Sequence, residues 1–111
     1  MILDVCKRKK HFCFFDSAYQ GFGNDDYNED TYSLRLFAEN YNRVMLTQSF
    51  SKNFGLYGER TGCLSMVCTD HEEQIKVQTL LKDLCLPEYS NPPIHGARIV
   101  DLILGDEELK K

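Results

Sequence analysis

An amine that is to condense with a phosphorylated aldehyde needs an anion-binding partner close by. The stretch Ser49-Phe50-Ser51-Lys52-Asn53-Phe54-Gly55-Leu56-Tyr57-Gly58-Glu59-Arg60 offers both functions within twelve residues. Lys52 follows the hydroxyls of Ser49 and Ser51 and stands eight residues before Arg60. Arginine suits a phosphate because its planar fork binds two oxygens at once and does not lose its proton. A second cluster lies upstream in Phe14-Phe15-Asp16-Ser17-Ala18-Tyr19-Gln20-Gly21-Phe22, where an apolar run ends on a carboxylate. Each residue alone has an ordinary reading. A lysine is a solvated surface charge, Arg60 pairs with Glu59 or another acid, and a strand-ending aspartate closes an Asx turn.

The elements between the clusters decide whether they meet. Phe12 to Phe15 is a short, wholly apolar run, the pattern of a strand buried on both faces. Gly21 to Asp26 is a loop. Leu34, Phe37, Ala38 and Tyr41 then fall at i, i+3, i+4 and i+7, which predicts an amphipathic helix. Arg43 to Gln48 reads as the next strand. Strand, helix, strand is a right-handed βαβ unit with parallel strands. Asp16 then closes the first strand and Ser49 to Lys52 follow the second, at the carboxyl edge where open α/β sheets bind ligands. For neighbouring strands the separation is on the order of 5–10 Å, one or two strand spacings. Thr61 to Cys68 follows too soon for a helical crossover, so it is expected as an antiparallel third strand. Ile2 to Lys10 reads as the end of a helix. Asp70 with Glu73 opens a further helix bearing Val77, Leu80, Leu81 and Leu84, which Pro87 is expected to end. Ser90-Asn91-Pro92-Pro93 is expected to start a last helix through Leu104, stopped by Gly105.

The paired motifs resemble those of the aspartate aminotransferases, pyridoxal-phosphate enzymes of the class I aminotransferase family, and their text is similar to the cytosolic form. The resemblance implies an α/β fold, with residues 1–111 a slice of the fold-type I large, cofactor-binding domain. That domain is three-layered (α/β/α) around a mixed, mostly parallel sheet, of which about three strands and four helices are expected here. It implies pyridoxal 5′-phosphate as cofactor, with Lys52 as its Schiff-base lysine and the group that moves the substrate's α-proton. A buried Asp16 carboxylate would keep the ring nitrogen protonated, and the Tyr19 hydroxyl would bond the ring's phenolic oxygen. Ser49 and Arg60 would hold the phosphate. The reaction implied is transfer of an amino group between an amino acid and a 2-oxo acid, in a cytoplasmic homodimer. Two other readings stand beside it. One is altered chemistry such as racemisation, since Asp16 and Lys52 suffice to remove and return a proton; the other is a non-catalytic scaffold.

Three positions depart from the family text. Thr61 replaces an apolar residue, and Gly58 replaces an asparagine usual in cytosolic forms. The third is Leu86, four residues before Ser90. Dicarboxylate-specific members place there an arginine that reaches the neighbouring subunit's site and holds the substrate's distal carboxylate. Family members are also several hundred residues long, so 111 residues are expected to be a central part of one subunit. A net charge of −4 gives no reason to expect nucleic acid as a partner. Lys7-Arg8-Lys9-Lys10 reads as a basic helix C-terminus ahead of a nuclear-import patch. No apolar run has the ~20 residues that span a bilayer. Five cysteines without a C-x-x-C pattern, four of them in apolar stretches, read as buried reduced thiols, and with three scattered histidines no metal site is expected.

Overall fold

A computed structural model describes residues 1–23 and 26–110. Three strands form one mixed sheet in the order β1-β2-β3: Cys13–Ser17 (β1), Val44–Ser49 (β2) and Gly62–Met66 (β3). β1 and β2 run parallel, with Asp16 opposite Thr47; β2 and β3 run antiparallel, with Ser49 opposite Gly62. The helices are α1 (Ile2–Lys9), α2 (Tyr27–Asp30), α3 (Tyr32–Asn40), α4 (His71–Tyr89) and α5 (His95–Gly105). The βαβ unit and the antiparallel third strand are as expected. The short α2 is additional, so the described residues hold five helices rather than four. It forms because the Asp26 side chain accepts the Asn28 N–H at 2.7 Å and caps its first turn.

The core lies on one face of the sheet. Leu3 of α1, Phe37 of α3 and Val44 of β2 are buried together, and Phe15 meets Phe37 edge to face with centroids 5.2 Å apart. Register partners share a face, so Cys13, Phe15, Val44 and Leu46 point to this core. Phe14 and Asp16 point the other way and are exposed, Phe14 at 57%. β1 is therefore not buried on both faces as its apolar text suggests. On that face α4 borders only the β3 side, where Gln74, Val77 and Leu81 line a cleft with Leu64 and Met66. The cysteines differ in the same direction: all five are free, four half-buried and Cys63 exposed.

Helix ends follow local chemistry. Lys7, Arg8 and Lys9 close α1, and Lys10 takes a left-handed φ of 56° that returns its N–H to the Cys6 and Lys7 carbonyls. The Arg43 guanidinium donates to the Lys10 carbonyl at 3.1 Å and pins that turn to the root of β2. At the start of α4, Asp70 Oδ1 accepts the Glu73 N–H at 2.8 Å, while Glu73 Oε2 accepts the Thr69 N–H at 2.6 Å. The box thus closes on the residue before the cap. Pro87 does not end α4, which continues to Tyr89. A proline frees the carbonyl four residues earlier, here that of Asp83, and Asp83 is exposed, so water can satisfy it. The last helix starts late, at His95 after an Ile94 cap, because residues that precede a proline are pushed out of the helical region. Gly105 is its final helical residue and the cap passes to Asp106 in extended conformation.

Candidate cofactor site

The carboxyl ends of β1 and β2 deliver both motifs to one edge. After β1 the chain turns through Ala18 and Tyr19, fixed by the Gly21 N–H, which donates to Asp30 Oδ2 at 2.6 Å. A side-chain bridge from Gln48 to Gln20, continued by Gln20 Nε2 to the Tyr27 hydroxyl at 3.3 Å, ties this turn to the end of β2. The turn borders a cleft of about 390 Å³ lined by Asp16, Ser17, Ala18 and Tyr19 on one side and by Thr31 and Leu34 on the other.

The lysine loop is the connection of the β2–β3 hairpin. Its neck is closed by the Phe50 N–H donating to the Thr61 carbonyl at 3.0 Å. Inside it, the Gly55 N–H donates to the Lys52 carbonyl at 3.2 Å, and the Leu56 N–H to the Phe50 carbonyl at 3.4 Å. Gly55 at φ 67° takes the left-handed turn that residues with a Cβ avoid. Phe50 and Phe54 stack edge to face at 5.3 Å and stiffen the loop from within.

This folding brings Lys52 to Tyr19. The ammonium lies 4.9 Å from the Tyr19 ring centroid, a cation–π contact between residues from opposite motifs. At a partly exposed site such a contact is worth about 0.5–1 kcal/mol, enough to orient the amine toward the β1 turn. Asp16 stands at the adjacent strand end, and Thr47 Oγ1 donates to its Oδ1 at 3.4 Å. Asp16 is exposed in this chain, contrary to the expected buried carboxylate, at the β1 edge of the face that also carries exposed Phe14. Ser49 and Arg60 flank the hairpin neck, since Ser49 pairs with Gly62. Arg60 does not pair with Glu59. It is exposed, left-handed at φ 53°, and its Nη1 donates to the Tyr57 carbonyl at 3.1 Å.

Sequence reasoning left three residues of this site without a role. Ser51 is 4% exposed, and its N–H donates to Ser49 Oγ at 3.3 Å, which aims that hydroxyl at the loop. Thr47 supports Asp16, and the parallel register, once counted, would have found it. Gly96 of α5 is buried against the neck, where a Cβ would collide with Thr61 Oγ1 and come within 2.9 Å of Glu59 Cβ. Leu86 lies elsewhere. It is 64% exposed on α4 and lines a different cleft with Leu81, Cys85, Tyr89 and Pro92. Among the described residues no group of three or more His, Cys, Asp or Glu side chains could hold a metal ion, and no helix is long and apolar enough to cross a membrane.

Known proteins share this sequence and fold. Over 109 residues the chain is 50% identical to a mitochondrial aspartate aminotransferase of Arabidopsis thaliana, and 48% identical over 110 residues to the mitochondrial enzyme of Gallus gallus. It covers 98% and 99% of itself in these matches but only 25% and 26% of the relatives, so it spans about a quarter of their length. Among solved structures, the aspartate aminotransferase of Plasmodium falciparum superposes with a TM-score of 0.93 at 42% identity, over 98% of this chain and 27% of that one. An aromatic-amino-acid aminotransferase from Burkholderia pseudomallei, covalently bound to pyridoxal phosphate, superposes at 0.91 with 43% identity and the same coverage. The expectation of a cytoplasmic protein is overturned, because these curated relatives and others from Dictyostelium discoideum and Arabidopsis thaliana are mitochondrial or chloroplastic enzymes. The similarity to the cytosolic form rested on a short motif text, which carries no address. The model of the aminotransferase class I and II family matches residues 1–111, and the chain belongs to that family.

Proposed function

We propose that residues 1–111 are part of the large, cofactor-binding domain of a pyridoxal-phosphate-dependent aminotransferase of the aspartate aminotransferase type. Its substrates are an amino acid and a 2-oxo acid, and it works as a homodimer. The observation that carries the reading is the placement of Lys52 against Tyr19 beside Asp16, at the carboxyl ends of parallel strands.

The donor set fits the cofactor chemically. A primary amine suits its aldehyde, a carboxylate its ring nitrogen, a phenol its phenolic oxygen, and an arginine with hydroxyls its phosphate. Arg60 and Ser49 would hold the phosphate at the hairpin neck, with Ser51 orienting Ser49. Asp16 would hold a proton on the ring nitrogen, and Tyr19 would donate its hydroxyl hydrogen to the phenolic oxygen. When bound, pyridoxal phosphate supplies a ring that accepts the electrons left when the substrate's α-proton departs. Lys52 Nζ would take that proton and return it, and the loop's internal hydrogen bonds would keep the amine in reach. The homodimer reading is supported by α4, which leaves Ile75, Leu80, Leu84, Leu86 and Tyr89 exposed.

Borohydride reduction of the full-length polypeptide with pyridoxal phosphate, followed by peptide mass mapping, tests the assignment. A pyridoxyl adduct on Lys52 is expected. An adduct on another lysine, or none, refutes it.

A further inference from the structure

Arg60 is exposed between two half-buried residues, Glu59 and Thr61. Its backbone is left-handed at φ 53°, a conformation that a residue with a Cβ keeps only where its surroundings impose it. Part of that imposition is internal to the loop. The Glu59 N–H donates to the Leu56 carbonyl at 3.3 Å, and Arg60 Nη1 to the Tyr57 carbonyl at 3.1 Å. Thr61 Oγ1 donates to the Glu59 carbonyl at 3.3 Å, so the two flanking residues are tied to each other across Arg60. The rest comes from outside, from α5. Gly96 stands in the first turn of that helix and is buried. The space its Cβ would take is already filled by the Thr61 side chain and by Glu59 Cβ, 2.9 Å from that point. Val100, one turn further along the same face, is 6% exposed, so the seat is continued by packing.

We propose that Gly96 is a positioning residue for the cofactor's phosphate: the close seat of α5 on Glu59 and Thr61 holds Arg60 in the left-handed turn from which its guanidinium meets the phosphate. This rests on the phosphate role proposed above for Arg60. A methyl group at position 96 has two ways out. It drives α5 away and removes the brace, or it displaces the segment from Glu59 to Thr61, and Arg60 is the middle of that segment. Both reach the guanidinium. A two-pronged grip on phosphate is sensitive to either, because two N–H groups must stay in line with two oxygens at once. Asp16 and Tyr19 belong to β1 and the turn after it, whereas the close neighbours of Gly96 are all at the hairpin neck. The loss therefore falls on the phosphate and spares the ring, which separates positioning from plain destabilisation.

The test uses the full-length polypeptide freed of cofactor and titrated, by visible absorbance, with pyridoxal phosphate and separately with pyridoxal, which carries the aldehyde and ring but no phosphate. In Gly96→Ala the affinity for pyridoxal phosphate is expected to fall roughly 10- to 100-fold, the span of one lost hydrogen bond to a charged group, while that for pyridoxal stays within about twofold. Adding Thr61→Ala removes the hydroxyl in the way and should recover part of the phosphate affinity. Equal losses for the two ligands, or an unchanged preference for the phosphorylated one, overturn the proposal and leave the role of Arg60 standing. A wild type that binds both ligands equally refutes the phosphate role itself, and the proposal with it. Amide hydrogen exchange on the wild-type polypeptide needs no variant to fold. Inorganic phosphate should slow exchange in residues 57–62 and 95–100 together, and protection confined to 57–62 overturns the brace.

Discussion

Expressed as a free polypeptide, residues 1–111 expose 8535 Å². A compact monomer of 12.9 kDa exposes about 6,300 Å² by the scaling of surface with mass. The excess, about 2,200 Å², is not spread evenly. It includes Phe14 and Leu64 on one side of the sheet and Ile75, Leu80 and Leu84 along α4. The radius of gyration agrees, at 15.8 Å against about 13 Å for a compact domain of this length. With a little over half of such surface apolar, at ~25 cal/mol per Å², the unrealised burial is about 30 kcal/mol. One fifth of that, about 6 kcal/mol, already equals the whole stability of many domains. The chain alone is therefore expected to lack a cooperative transition, to bind a hydrophobic dye, and to associate when concentrated. Size-exclusion chromatography with light scattering, dye fluorescence and a thermal melt monitored by circular dichroism would show this. A monodisperse monomer with a sharp melt and no dye binding would refute the reasoning, because the exposed α4 and sheet faces would then cost the chain nothing.

Four further outcomes are expected. In an active full-length polypeptide, Asp16→Asn keeps pyridoxal phosphate bound but slows α-proton transfer severely, because an amide cannot hold the ring proton; isotope exchange at the α-carbon checks it, and a rate within a few-fold of wild type contradicts it. On the proposed function, Leu86→Arg is expected to supply a partner for a substrate side-chain carboxylate, worth ~2–5 kcal/mol or roughly 30- to 3,000-fold in kcat/KM for aspartate over alanine; a wild-type enzyme already strongly selective for aspartate would count against this. Gly96→Ala pushes α5 off Thr61, an overpacking cost of ~1–3 kcal/mol set against up to about 1 kcal/mol of helix propensity, and Thr61→Ala should relieve it in a double-mutant cycle on the full-length protein. The Glu73 carboxyl sits below its ordinary range because the Thr69 N–H and hydroxyl donate to it. A depressed folded value means that this cap contributes fully above the unfolded glutamate range, near pH ~4.3, and is lost as pH falls through the folded value, so Glu73→Gln should flatten the acid limb of a stability–pH curve.

Much of this architecture was legible because it rests on local chemistry. The i, i+4 stripe of Leu34, Phe37 and Ala38 is read from spacing, and the Asp70–Glu73 cap from residue type. The edge shared by Asp16 and Lys52 follows from the parallel run of β1 and β2, which brings both carboxyl ends to one side. Burial was not legible in the same way. Phe14 reads as core because phenylalanine in an apolar run is usually inside, yet whether a face is covered depends on elements other than the strand. Pro87 was misread for a related reason. Its cost falls on the Asp83 carbonyl, and only the fold shows that carbonyl's residue facing water. Thr47 and Gly96 needed the register and the seat of α5, both tertiary facts.

The site's two halves also differ in how far along the chain they are joined. Ser49, Lys52 and Arg60 belong to one hairpin, whose closing partners Ser49 and Gly62 come from contiguous sequence. Asp16 meets Thr47 only after the intervening helices have looped back. Closing a loop of about 30 residues costs ~1 kcal/mol more than closing one of about 12, and the reward arrives only when the parallel ladder zips. On the ribosome and on refolding, the hairpin half, proposed to hold the phosphate, should consequently reach native geometry on the microsecond scale of hairpins, with the Asp16 half following later. Lys52 is then in place before Asp16 meets Thr47.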